Sequence, residues 1–257
     1  MSMNFVDAGQ LVENLRKARD SSALHDMLLE ISKNAGFSYF ALTEHVNLRA
    51  DGSDVINVVN YPDAWACEFR RKKLFGVDPV HRASNGRIHG FLWAEVPKLI
   101  PMTRHDHLIF ETARSNGLGN GYTVPANVPG YCNGSVSFGM AAGSDIDLSQ
   151  LPLLSFVGTA AFEAAQKLRY GARALPADVP RLTDRQLDCV ALVAQGLTTI
   201  EISRVLNVRY ETVVQHIKDA ALRYGVSRRT TIAVRALFDG SLGFTDVIPR
   251  KTPQPWG

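Results

Sequence analysis

The sequence predicts two folds in one chain: an α/β domain built as an α-β-α sandwich around an antiparallel sheet, then an all-α domain of four helices containing a helix-turn-helix. Three observations predict it. In residues 1–170, stretches with helical spacing of apolar residues alternate with short runs rich in aromatic and β-branched residues. Gly171 to Pro180, GARALPADVP, has the composition of a linker and no periodicity. Beyond it, residues 181–244 carry only helical patterns, and 245–257 form an extension without periodicity.

Taken in order, Phe5 to Arg19 and Ala23 to Asn34 read as helices, the second capped by Ser21 or Ser22 and ended by Gly36. Residues 37–45 and 55–60 read as strands around the turn Asp51-Gly52-Ser53, neighbours in one sheet. Pro62 opens a helix, PDAWACEFRRKKLF, with Trp65 and Phe69 on one side and Tyr61 in line with them. Asp78-Pro79 restarts the chain as an N-cap and first-turn pair, FLWAE (91–95) is a short apolar segment, and Thr103 to Asn116 is a helix ended by Gly117. GYTVPAN (121–127) and GSVSFGMAA (134–142) add two strands. Asp147 caps a long helix, Leu148 to about Tyr170, apolar over most of its circumference; such a helix wants a partner on both sides, so part of it is expected at a subunit interface.

Charge divides unevenly. The net charge is +3, but residues 181–257 hold 11 Lys/Arg against 7 Asp/Glu, so the basic excess sits with the helical domain, as in a polyanion-binding module. Cys67, Cys132 and Cys189 form no C-x-x-C pair, so neither a disulfide framework nor a zinc site is indicated, and buried free thiols in a cytoplasmic protein are expected. The opening MSMNFVDAGQLVENL is not a signal peptide, and the longest apolar stretch, Leu151 to Ala165, is too short and too interrupted to span a bilayer. An enzyme is disfavoured: His105 and His107 face different directions on a helix, and no partner set accompanies them or Cys132.

The most informative stretch is TTIEISRVLNVRYETVVQHIKDAALRY, 198–224. Thr198 and Glu201 make a capping box, as do Thr183 and Gln186 ahead of the preceding helix. Apolar positions Ile202, Val205 and Leu206, then Val213, Ile217, Ala220, Ala221 and Tyr224, define two amphipathic helices joined by Asn207-Val208-Arg209. Glu211, Val214, Gln215 and Lys218 face away from the apolar seam and suit base edges. Arg209, Tyr210, His216, Arg223, Arg228 and Arg229 stand around them as phosphate contacts, and Thr198 at the start of the first helix is expected in the same DNA-binding set.

On LT-x-R, A-x-G-x-T, E-I, T-V-x-x-H and G-V-x-x-R, this part resembles the DNA-binding domain of the LuxR family of bacterial regulators. It departs from the family at Gln186 (usually Glu), Val190 (usually Leu) and Leu197 (commonly Lys). NYPDAWACEF, VDPV and FLW in the N-terminal part are similar to the ligand cassette of the quorum-sensing branch, which binds N-acyl-homoserine lactones. The resemblance implies Tyr61 and Ser137 on the acyl carbonyl, Trp65 on the lactone carbonyl, Asp78 on the amide N–H and Trp93 lining the head-group pocket; Gly117 matches a family glycine. It implies no cofactor, and as partners a pseudopalindromic double-stranded DNA element, RNA polymerase and a second copy of the chain. Phe69, where Tyr is common, and Gly90, where Pro is usual, bear on ligand choice. Ala41, Thr43 and His45 alternate on one strand face; if that face meets the acyl tail, a short or polar-ended tail is expected. A core role for Trp65, Phe69 and Trp93, and an orphan receptor with a different ligand or none, remain the competing readings.

Overall fold

The structure is a computed structural model and describes residues 5–45, 55–127, 133–171 and 180–248. The turn Asp51-Gly52-Ser53, Cys132, most of the linker and the end of the tail lie outside the described residues. The chain divides into two compact units, Met1–Val128 with Cys132–Ala174, and a second that takes in Leu175–Gly257. Among the described residues no helix is long and apolar enough to cross a membrane.

The first unit opens with α1 (Phe5–Arg16) and α2 (Ser21–Asn34). Asp20, not Ser21 or Ser22, is the cap of α2: its carboxylate accepts from the Ala23 N–H at 2.8 Å. That cap holds residue 20 extended (φ −158°), so α1 ends three residues before the sequence suggests. Five antiparallel strands follow, β1 (Tyr39–Glu44), β2 (Asn57–Val59), β3 (Phe91–Leu92), β4 (Leu118–Ala126) and β5 (Gly134–Ala141), in the order β2-β1-β5-β4-β3.

The two faces of this sheet differ in kind. Phe40, Leu42, Val124, Val136 and Phe138 fill one face and pack against α2 and α7 (Leu151–Tyr170). Against the other lie α3 (Asp63–Arg71), α4 (Pro79–Ser84), α5 (Val96–Leu99) and α6 (Arg104–Ser115), whose core is Trp65, Leu74, Val80, Trp93, Val96 and Ile109. Two helical layers around one sheet are the sandwich expected. The helix predicted over 62–75 is broken: Lys73 takes a left-handed conformation (φ 52°) and residues 74–76 make a separate turn. The break buries Leu74 and brings Phe75 edge-on to Phe69, which a straight helix cannot do. Cys67 is exposed, contrary to expectation, because it falls on the face of α3 away from Trp65 and Phe69; Cys189 is buried.

The apolar circumference of α7 has an explanation within the chain: the sheet covers one side and α1 and α2 cover another, leaving an exposed stripe of Pro152, Phe156, Thr159, Glu163 and Lys167. The helix's last residue, Tyr170, donates to the Glu44 carboxylate at 2.8 Å; this buried carboxylate also accepts from the Ile56 N–H.

The second unit holds α8 (Asp184–Ala194), α9 (Thr199–Leu206), α10 (Tyr210–Arg223) and α11 (Arg229–Phe238) around Cys189, Val190, Ile202, Val213, Ala220, Ile232 and Ala236. Both capping boxes form: Thr183 N–H donates to Gln186 Oε1 at 3.0 Å and Thr198 N–H to Glu201 Oε2 at 2.7 Å. The tail does not become irregular at 245. Phe244–Val247 forms a further turn, α12, where Gly243 N–H donates to Asp246 Oδ2 and Gln195 donates to the Asp246 carbonyl. Four residues are too few to show a period.

Gly134 on β5 lies directly beneath the Phe162 ring of α7, which occupies the space a Cβ would take. Gly134→Ala is expected to lower unfolding free energy by about 1–3 kcal/mol in denaturant titrations, and Phe162→Leu in the same chain to restore part of it. Two losses that simply add would contradict the direct contact.

Candidate functional site

The sheet face toward α3–α6 is built from small and hydroxylated residues at alternate positions. Strand register sets them in three rows. Tyr39, Gly139 and Gly121 form the first; Val59, Ala41, Ser137, Thr123 and Phe91 the second; Asn57, Thr43, Ser135 and Pro125 the third. Above these rows is a cavity of about 770 Å³, mouth included, largely apolar in its walls.

Ala41, Thr43, Tyr61, Trp65, Phe69, Asp78, Trp93 and Ser137 all line this one cavity. Trp93 lies on a platform of two glycines: a Cβ at Gly121 would meet its indole at 2.6 Å, and one at Gly139 would stand 3.5 Å from it. The indole Nε1 donates to Thr123 Oγ1 at 2.8 Å, and Thr123 Oγ1 lies 2.8 Å from Ser137 Oγ. Ser137 in turn hydrogen-bonds the Tyr61 hydroxyl. Burial, with the Asp78 carboxyl as a second cause, pushes the Tyr61 phenol well above its usual range against that hydrogen bond, so it remains a protonated donor.

Asp78 is the N-cap that the sequence suggests, and it also lines the cavity. Its Oδ1 caps α4, accepting from Val80 N–H at 2.8 Å and His81 N–H at 3.0 Å. No described residue donates to its Oδ2, so a buried carboxylate keeps one acceptor for the cavity it lines. Trp65 is likewise core and lining at once, and among the described residues nothing accepts from its indole N–H. Phe69 packs edge-on against Trp65, Phe75 and His81, so the missing hydroxyl leaves an aromatic wall. Gly90 has a different meaning from the one expected. The Tyr122 side chain occupies the space a Cβ there would need, and its hydroxyl pairs with Ser155 of α7, on the sheet face away from the cavity. Gly90 therefore says nothing about the ligand.

Sequence reasoning missed Thr123, the joint between Trp93 and Ser137, and several lining residues, among them Asn57, Phe75 and His81. The signal for Thr123 was present: Gly121 and Thr123 alternate with Tyr122 and Val124, and Ser135, Ser137 and Gly139 with Val136 and Phe138. His45 does not line the cavity but stacks on His81, which does, with ring centroids 4.1 Å apart. Asp106, between the two histidines His105 and His107, is committed to the capping box with Thr103 and to an ion pair with Arg82 at 2.8 Å.

In the second unit, Asn207 makes the turn between α9 and α10 in a left-handed conformation (φ 52°) that Asn tolerates. Glu211, Val214, Gln215 and Lys218 form an exposed stripe on α10, with Arg209, Tyr210 and Arg228 exposed and His216 half-buried. The N-terminus of α10 has no side-chain cap, so its free N–H groups suit an anion. Other members of the expected set have internal duties. Arg229 donates to Thr199 Oγ1 and the Leu197 carbonyl, Arg223 to the Arg181 carbonyl, and Gln215 to Asp219; Thr198 is bound up in its capping box.

The family described as autoinducer binding domain matches residues 20–165, and that described as bacterial regulatory proteins, luxR family, matches residues 180–236. The chain is 28% identical over 236 residues to the HTH-type quorum sensing-dependent transcriptional regulator RpaR of Rhodopseudomonas palustris, covering 92% of each chain. To the transcriptional activator protein VanR of Vibrio anguillarum it is 24% identical over 234 residues, covering 90% of this chain and 95% of that one. Among solved structures it is similar to Escherichia coli SdiA, with a TM-score of 0.62 at 20% identity over 92% of this chain and 98% of SdiA. SdiA in complex with octanoyl-rac-glycerol gives 0.61 at 18% identity, covering 93% and 97%. These likenesses to solved structures concern the fold.

His45 sets a pH dependence. Burial, then the neighbouring His81, hold its imidazole down to about 2 from 6.5. Between those values the unfolded chain binds the proton and the folded chain does not, so stability rises with pH there and falls as pH drops below 6.5. The expected slope from this group is up to about 1.4 kcal/mol per pH unit. Urea titrations at several pH values, with His45→Phe as the comparison, should show the slope reduced by up to one proton in the variant; identical slopes would contradict a neutral buried His45.

Proposed function

The chain belongs to the LuxR family of bacterial quorum-sensing transcriptional regulators, with its autoinducer binding domain and helix-turn-helix, and from that premise we propose that its cavity takes an N-acyl or N-aroyl homoserine lactone. The observation that carries this reading is the cavity's polar inventory. A homoserine lactone offers two carbonyl acceptors and one amide donor on an otherwise apolar body. The cavity offers the Trp65 indole N–H, the Tyr61–Ser137 hydroxyl pair and the open Asp78 Oδ2 among apolar walls. Asp78 accepts the amide N–H, Tyr61 and Ser137 serve the acyl carbonyl, Trp65 the lactone carbonyl, and Trp93, held by Thr123, forms the wall beside the head group.

The bound lactone completes the core of the first unit and stabilises the folded chain by mass action. A homodimer then presents two helix-turn-helix units to a pseudopalindromic element in cytoplasmic DNA. The α10 stripe Glu211, Val214, Gln215 and Lys218 reads bases, while Arg209, Tyr210 and Arg228 position phosphates. Contacts with RNA polymerase belong to the same reading. A second reading, an orphan regulator with another acyl ligand, is favoured by one observation: a protein of the same fold holds octanoyl-rac-glycerol. An acylglycerol has no amide N–H for Asp78 to accept.

Two measurements test this. A panel of lactones should raise the melting temperature of the purified chain, and Asp78→Asn should weaken binding roughly 10- to 100-fold, as expected for a lost charge-assisted hydrogen bond. Acylglycerols that stabilise where no lactone does would decide for the second reading. On DNA, Lys218→Ala should relax sequence preference, whereas Arg209→Ala should weaken all sequences alike and lower the salt-dependence slope by about 1.

A further inference from the structure

The cavity has an axis, and its two ends differ chemically. Trp93 stands over the first row of the sheet at Gly121 and Gly139; Tyr61 faces Ser137 at the second, with the Asp78 carboxyl close enough to act on the Tyr61 phenol. One step further, two residues along each strand and so about 6–7 Å on, comes the third row with Thr43 and Asn57. His81, one turn along α4 from Asp78, lines the same end. With the head group under Trp93 and the amide at Asp78, the tail runs toward these three.

Each of the three has hydrogen-bonding capacity that the described residues do not use. Thr43 is 8% exposed, yet its hydroxyl bonds to no described residue and is open to the cavity rather than sealed in protein. Asn57 stands beside it in register, at the mouth. His81 Nδ1 is 3.3 Å from the Phe75 carbonyl, which can only accept, so Nδ1 carries a proton and in the neutral ring Nε2 is left as an acceptor. The ring is fixed in place by stacking on His45, which is itself held by Ser135 at 2.9 Å and Ser84 at 3.4 Å. A plain alkyl tail would strip water from the Thr43 hydroxyl and give nothing back, an unfavourable exchange for a buried polar group.

We propose that the tail of the bound lactone carries a hydroxyl about 6–7 Å beyond its amide, which donates to His81 Nε2 and accepts from Thr43 or Asn57. This rests on the lactone reading of the same cavity and adds the tail chemistry. A hydroxyl is the simplest group that donates and accepts at one atom, matching an imidazole acceptor and a threonine donor at once. An aliphatic hydroxyacyl chain and a hydroxyaryl ring both supply it. The edge-on rings of Phe69, Phe75 and His81 form a wall that accommodates either.

The test is titration calorimetry on the full chain with matched pairs of homoserine lactones. One pair is a six-carbon acyl lactone ending in hydroxyl and its methyl-ended counterpart; the other is a para-hydroxybenzoyl lactone and the para-methyl analogue. The hydroxylated member of at least one pair should bind about tenfold or more tightly than its partner. The pair that shows the preference identifies the tail as aliphatic or aromatic. Thr43→Val and His81→Phe, made separately in case one fails to fold, should each bring that ratio down toward one. Lactone binding with equal or greater affinity for the methyl-ended members overturns the hydroxyl inference and leaves the lactone reading standing. A preference for hydroxyl that survives both substitutions overturns the assignment to this end of the cavity. Failure of every lactone to bind, in a chain that is folded by circular dichroism, overturns the lactone reading and this inference with it.

Discussion

Trp93 can approach the sheet as closely as it does only because Gly121 has no side chain, and much of the cavity's geometry depends on that contact. The indole then reaches Thr123, Thr123 reaches Ser137, and Ser137 meets Tyr61. Side chains from the turn after β3, from β4 and from β5 are thereby joined by hydrogen bonds, and Tyr61, just ahead of α3, faces the end of that line. A larger residue at 121 would push the ring away and break the line at its first link, whereas one at 139 would first meet Leu118. The cavity is thus made by subtraction: one sheet face is bulky and apolar and packs against helices, and the other carries glycine, alanine, serine and threonine on its central strands β1, β5 and β4 at most positions, leaving room that the overlying helices do not fill.

A site made this way holds its polar groups before any ligand arrives. Asp78 is the clearest case. The same carboxylate that ends the backbone of α4 with one oxygen keeps the other for the cavity, so the acceptor is aimed by the helix it caps. Preorganisation of this sort removes part of the ordering cost of binding. Structural and functional readings of Asp78, Trp65 and Trp93 were competitors in the sequence. In the fold all three are buried and all three line the cavity.

What was legible in the sequence followed periodicity and caps. The sandwich, the two capping boxes and the α9–α10 pair all rest on local patterns that packing had no reason to override. What was not legible depended on contacts distant in the chain. The Lys73 break follows from where Leu74 and Phe75 must go, and Gly90 makes sense only beside Tyr122, thirty-odd residues on. Arg223 and Arg229 looked like free cations in the sequence, yet each is tied to a backbone carbonyl of its own unit. The residues lining the cavity were found largely through family resemblance. Alternation on β4 and β5 could have located Thr123 without it, but Asn57 and His81 required knowing that β2 pairs with β1 in this register and that His81 of α4 stacks on His45 just beyond β1.

The sheet's strand lengths carry one more consequence. The long strands, β4 with nine residues and β5 with eight, are interior, and the six-residue β1 is paired on both sides; the edges are β2 with three residues and β3 with two. A sheet with a hollowed face has less core to hold it, and an open edge of any length would template pairing with another chain. Edges this short present few unpaired backbone groups, so the protein is guarded against edge-to-edge aggregation even while its cavity stands empty.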